Sequence, residues 1–198
     1  MATTPLPFVT EEQYLQMERE SELRHEYLHG EVFAMSGGTT NHNRLSADLL
    51  VQISNRLEGS PCEIFGSDQR VRVPATRFHA YPDLSVVCSP IQYSDDTKDC
   101  VLNPILLVEV LSKSSRNFDR GEKFRQYQRI PSLQTYVLVE QDDMLVEVYT
   151  RTGRDSWNYR VLEGPDAMLE VEHPPLSIPL KAVYRRVEFP PAEGSDGC

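Results

Sequence analysis

The chain has 198 residues, 39% of them hydrophobic and 25% charged, with a formal net charge of −10. This composition fits one folded domain with a substantial core. No run approaches the ~18 apolar residues of a spanning helix, and the opening MATTPLPFVTEEQ lacks a basic and then apolar leader, which argues against a membrane or secreted protein and for a cytoplasmic one.

Residues 1–9 and 189–198 are expected to be flexible, leaving 10–188 as the domain. Thr10-Glu11-Glu12-Gln13 matches a capping box and predicts a short helix through about Glu20. Gly30 to Met35 reads as a strand, ended by Gly37-Gly38. Asn41 is then the expected cap of a long helix whose buried stripe is Leu45, Leu49, Ile53 and Leu57. Short strands follow at Cys62–Gly66 and Gln69–Val73, then a strand opened by Pro82-Asp83 and running Leu84-Ser85-Val86-Val87-Cys88. A polar loop over 89–103 leads to Ile105-Leu106-Leu107-Val108-Glu109-Val110-Leu111. That run has the length and β-branched content of a central buried strand. A polar turn, Ser112 to Asn117, precedes a second helix from Asp119 that stops before Pro131. The remainder is β-rich: Thr135–Val139, Met144–Tyr149 and Trp157–Leu162 alternate between turn signals. The order predicts an α/β sandwich with a mixed central β-sheet flanked by helices.

The four cysteines, Cys62, Cys88, Cys100 and Cys198, have no zinc-ligand spacing and are expected to be free thiols in a reducing compartment. His25, His29, His79 and His173 also lack ligand spacing. A net charge of −10 disfavours broad non-specific binding to nucleic acid, although a cluster of metal-binding acids can coexist with a local basic patch. Candidates for such a patch are Arg70, Arg72 and Arg77, and the group Lys113, Arg116, Arg120, Lys123, Arg125 and Arg129; an ordinary solvated surface is the alternative.

Glu109 is the one polar side chain in its strand, and a buried carboxylate needs a partner. Together with Asp83 it gives two short strands with one carboxylate each, a suitable basis for a divalent-metal site on a sheet. Magnesium or manganese takes hard oxygen ligands, usually one or two carboxylates with water and substrate. The simplest pattern puts a lysine two residues after the glutamate, but here that residue is Leu111. Lys113 shares the parity of Glu109 but falls in the turn. Lys123, on the next helix, projects on one face with Tyr127 if that helix crosses the strand.

Tyr81-Pro82-Asp83-Leu84-Ser85-Val86-Val87, then Leu107-Val108-Glu109-Val110-Leu111-Ser112, then Asp119-Arg120-Gly121-Glu122-Lys123-Phe124 with Tyr127, resemble the Uma-two family of bacterial restriction-endonuclease-like proteins. That family is similar in fold to the PD-(D/E)XK nucleases. The resemblance spans roughly residues 10–185 and includes Gly30-Glu31, His42 and Ile130-Pro131-Ser132. It implies a DNA endonuclease that leaves 5′-phosphate ends, with Mg2+ or Mn2+ bound by Asp83 and Glu109 and a catalytic lysine migrated to the helix at Lys123. Glu31, His42, Lys113 and Tyr127 are candidate supporting residues. The family pattern has a proline at the position of Lys113. A homodimer cutting both strands of a duplex is the expected assembly. The competing reading is a non-catalytic nucleic-acid-binding or assembly module that keeps the fold.

Overall fold

The structure is a computed structural model that describes residues 8–189. The expected flexible ends therefore lie almost wholly outside the described residues. Helix α1 (Glu11–Glu20) opens on the expected capping box, with Gln13 N donating to Thr10 Oγ1 and Thr10 N donating to Gln13 Oε1. Strands β1 (His25–Leu28) and β2 (Glu31–Ala34) form a hairpin. Its two turn residues, His29 and Gly30, both have positive φ (51° and 88°), the backbone of a type I′ turn. β1 was not anticipated, because only the second half of the hairpin follows a glycine.

Helix α2 (Thr40–Leu57) is capped by Thr39, whose side chain accepts from His42 N at 3.1 Å. Asn41, the expected cap, instead donates to the Glu188 carbonyl. Thr39 precedes it by two residues and supplies the same kind of oxygen acceptor. The predicted stripe of Leu45, Leu49, Ile53 and Leu57 is buried as a unit.

Strands β3 (Cys62–Gly66), β4 (Arg70–Val73), β5 (Phe78–Ala80) and β6 (Leu84–Cys88) follow, then a two-residue β7 (Cys100–Val101) inside the expected polar loop, and β8 (Pro104–Leu111). The second helix starts three residues earlier than its sequence suggests. It comprises α3 (Arg116–Phe118), a π-helical stretch (Asp119–Lys123) and α4 (Phe124–Tyr127). Beyond it lie β9 (Thr135–Glu140), β10 (Leu145–Gly153), β11 (Ser156–Glu163), β12 (Met168–Val171), β13 (Leu176–Pro179) and α5 (Leu180–Val183).

The central sheet has the order β11-β10-β9-β8-β6-β3. It is mixed: β8 and β9 run parallel and the other neighbours antiparallel. A five-stranded sheet, β2-β1-β5-β4-β7, and the β12-β13 pair complete the β-structure. The period of two in β8 divides the core. Leu106, Val108 and Val110 face α2, α5 and β13, whereas Leu107 and Leu111 face α4 and the five-stranded sheet. Helix α1 joins that second sheet through Tyr14, stacked on Tyr27 at 5.0 Å, and through Glu11, which bonds His79 and Arg72.

Two further contacts tie distant segments together. Asp48 of α2 is fully buried and takes four hydrogen bonds from Arg185 and Arg186. Burial works against its charge, but the two guanidiniums outweigh burial and hold its pKa below the ordinary value. Cys62 and Cys88 are joined by a disulfide, which corrects the expectation of free thiols. The antiparallel register of β3 and β6 sets these two residues opposite each other, a proximity that a spacing of 26 residues does not disclose. Cys100 is free and buried; Cys198 lies outside the described residues. No helix among the described residues is long and apolar enough to cross a membrane.

Candidate active site

Glu109 shares the strand face of Leu107 and Leu111, so an acid is carried into an apolar layer. It is 5% exposed. The π-helical stretch crosses this face and delivers Lys123, whose Nζ lies 3.0 Å from Glu109 Oε1, 2.8 Å from Glu26 Oε1 and 3.6 Å from Asp119 Oδ1. One turn on, Tyr127 donates its hydroxyl to Glu109 Oε1 at 3.0 Å. Tyr136 donates to the Asp119 carbonyl at 3.2 Å. The Tyr127 and Tyr136 rings meet edge to face at 5.4 Å and form an apolar wall.

Asp83 stands immediately before β6. One residue beyond the Leu84–Val108 pair, the register brings it alongside Glu109. Its Oδ2 accepts from Val110 N at 2.7 Å and lies 3.3 Å from His42 Nε2. His42 is in the first turn of α2, and Gly38 lies against its ring: a Cβ at residue 38 would come within 2.6 Å of His42 Nδ1. The glycine pair read as a strand breaker thus also makes room for the imidazole.

Crowding of acids dominates the electrostatics. Burial pushes the Glu109 carboxyl well above its usual range; Asp119, Asp83 and Glu26 push the same way, and Lys123 opposes them. Asp119 is raised for the same first reason, again against Lys123. Burial works against the Lys123 ammonium, yet Glu109, Glu26 and Asp119 outweigh burial and hold its pKa well above normal. For His42, the bond to Asp83 likewise overcomes burial and favours the imidazolium. One lysine therefore serves three carboxylates. If all ionise, the pocket retains excess negative charge, which a divalent cation would offset.

Of the residues singled out in the sequence, Glu109, Lys123 and Tyr127 are in direct contact, and Asp83 and His42 form an adjoining pair. Glu31 shares the face of Leu28, its cross-strand partner, but is exposed and makes no ion pair with Lys123. Lys113 is exposed in the turn after β8. Glu26 and Asp119 were missed. A signal existed for Asp119, which stands at i,i+4 to Lys123; Glu26 lies two residues before Leu28 on a strand that was not anticipated.

Much of the expected basic patch is taken up in ion pairs: Arg70 is buried against Asp99, Arg72 and Arg77 pair with Glu11, and Arg116 and Arg120 pair with Glu140, Asp142 and Glu147, while Lys113, Arg125 and Arg129 are exposed. Among the described residues no three histidine, cysteine, aspartate or glutamate side chains converge as a ready-made metal cage. The donor set instead fits a hard cation held by one or two carboxylates, with water in the other positions.

Comparison with known proteins agrees with this class of fold. Residues 11–181 match the sequence profile of the Uma2 family, described as "Putative restriction endonuclease". The chain is 35% identical over 187 residues to "Uncharacterized protein slr1290" of Synechocystis sp. (strain ATCC 27184 / PCC 6803 / Kazusa), covering 94% of this chain and 97% of that one. "Uncharacterized protein sll1609" of the same organism is also 35% identical, over 170 residues, covering 86% and 95%. A crystal structure from Anabaena variabilis ATCC 29413, described as a putative nuclease belonging to DUF820, superposes with a TM-score of 0.76. It shares 18% identity, with 91% of this chain and 99% of that one covered. The fold is that of a restriction-endonuclease-like nuclease, and the chain belongs to the Uma2 family.

Proposed function

We propose that this protein is a metal-dependent DNA endonuclease that hydrolyses phosphodiester bonds, with Asp83 and Glu109 holding Mg2+ or Mn2+ and Lys123 as the catalytic cation. The observation behind the proposal is the buried Lys123 ammonium, ion-paired to Glu109 beside Asp83, within a cluster that has more acids than cations. When bound, the metal supplies charge neutralisation at the phosphate and a water of lowered pKa. The protein's own part is positional. Asp83, clamped to the β8 backbone through Val110 N, and Glu109, fixed by Tyr127, present hard oxygens from adjacent strands. Lys123 orients the attacking water and balances charge that develops on the scissile phosphate. Glu26 and Asp119 keep that lysine charged and aimed at Glu109. His42 holds Asp83 from the helix side.

The competing reading, a nucleic-acid-binding module without turnover, needs positive surface that contacts phosphate. Most of the candidate arginines are already paired with carboxylates, so that reading is weaker.

The test is cleavage of supercoiled plasmid and of single-stranded DNA in Mg2+ and in Mn2+, with Asp83→Ala and Lys123→Ala in parallel. The expected result is cleavage by the wild type and a loss of at least a hundredfold in both variants. Cleavage that survives both substitutions places the chemistry elsewhere and overturns the assignment.

A further inference from the structure

The two ends of the central sheet differ. At one end β3 has five residues, packs on α2 and is tied to β6 by the disulfide. At the other end β11 has eight residues, and among the described residues no strand pairs with its outer side. Proteins usually blunt such an edge by shortening it or by placing lysine or proline on it. Ser156-Trp157-Asn158-Tyr159-Arg160-Val161-Leu162-Glu163 contains neither.

The hydrogen bonds on either side of β10 determine which β11 amides face outward. Gly164 N donates to Met144 O across the β10–β11 ladder, and Arg151 N donates to Gln134 O across the β9–β10 ladder. Bonded and non-bonded pairs alternate along an antiparallel ladder, so both bonds lead to the same phase. Asn158, Arg160 and Leu162 bond to β10, whereas the N–H and C=O groups of Trp157, Tyr159 and Val161 point away from the sheet. The side chains of Tyr159 and Val161 are themselves exposed.

We propose that β11 pairs antiparallel with β11 of a second copy of this chain, about a two-fold axis through Tyr159. An axis normal to a sheet keeps each side chain on its own face, so the register must centre on a residue and not between two. The strand midpoint leaves Tyr159 or Arg160. Centring on Arg160 sets two guanidiniums opposite each other, a repulsive pair. Centring on Tyr159 sets Tyr159 against Tyr159, Trp157 against Val161 and Asn158 against Arg160. The outward amides of Trp157, Tyr159 and Val161 then meet the outward carbonyls of the partner strand in register. Glu163, the last residue of β11, falls opposite Asp155 of the preceding turn, so one acid pair sits at each solvent-exposed end of the ladder. The occupant is a second copy because the strand is complementary to itself in this register. The inference does not depend on the nuclease reading.

The test uses the full chain. Sedimentation equilibrium should give twice the chain mass at micromolar concentration. Val161→Pro and Tyr159→Pro each delete an outward N–H and none that β10 uses, which an edge strand tolerates. Both variants should sediment as monomers with the wild-type circular dichroism spectrum. Residue-resolved amide exchange in the wild type should show Trp157, Tyr159 and Val161 slowed at least tenfold at dimeric relative to monomeric concentration. A wild type that stays monomeric at hundreds of micromolar overturns the proposal. So does a dimer whose Trp157, Tyr159 and Val161 amides exchange freely, because that dimer uses another surface.

Discussion

Lys123 and Glu109 are each 5% exposed, and removing one partner of such a pair leaves a largely desolvated charge without its counter-ion. Lys123→Met is expected to destabilise the fold by about 3 kcal/mol at neutral pH. The double variant Lys123→Met/Glu109→Gln should recover part of that loss, because it removes the stranded carboxylate as well as the ammonium. Urea denaturation of the two single variants and the double variant measures the coupling; strict additivity would show that the pair is not energetically linked. The residues left two lysines open once Leu111 filled the strand position, and the family resemblance favoured Lys123, which lies 3.0 Å from Glu109, while Lys113 is exposed. Glu26 was not legible: its strand is four residues long, and its role depends on a hairpin that carries it across to another element's lysine. A single sequence shows which residues share a strand face, but not which loop or hairpin will fold over that face.

Among the elements, α1 is attached by polar contacts that respond to acid. His79 is 1% exposed on β5, with Nε2 2.8 Å from Glu11 Oε1 of the helix. Burial is the largest influence and depresses its pKa from 6.5 to about 4. A histidine depressed in the fold binds its proton more readily when unfolded. The stability it contributes is therefore complete above pH 6.5 and is lost as pH falls toward about 4, a loss on the order of 3 kcal/mol. Glu11 adds in the same direction lower down. Burial works against its charge, but Arg72 and His79 outweigh burial and hold its carboxyl below the usual value, so its contribution is lost as pH falls from 4.5. Unfolding midpoints between pH 7.5 and 4.5 should fall with acid, and His79→Gln should flatten the upper part of that slope; an unchanged slope would remove His79 from the account. The elements themselves show the same limit on legibility. α1 was readable from its capping box, α2 from the spacing of its apolar stripe and β8 from its apolar run, all of them local signals. The five-stranded sheet was largely missed because β1, β5 and β7 have only two to four residues and become strands through their neighbours.

At the level of the whole molecule, the central sheet ends in two edge strands, the short β3 and the longer β11. The β3 end carries the Cys62–Cys88 bridge. Thiol titration in denaturant should find two reactive cysteines without reductant and four with it, because the chain has four in all. By the chain-entropy model, a cross-link of this span contributes about 3.5 kcal/mol, so reduction should lower the unfolding midpoint accordingly. Four reactive thiols in the unreduced protein would show that the bridge is not formed. The Asp48 cluster has a consequence in time. The carboxylate at the centre of the α2 layer is paired by Arg185 and Arg186, more than 130 positions further along the chain. As the polypeptide leaves the ribosome, α2 and most of its sheet exist before either guanidinium does, and Asp48 cannot be sealed into an apolar layer without a counter-charge. The tie that covers Asp48 therefore forms only once residues 185 and 186 have emerged, and a nascent chain stalled short of them leaves the carboxylate without its counter-charge.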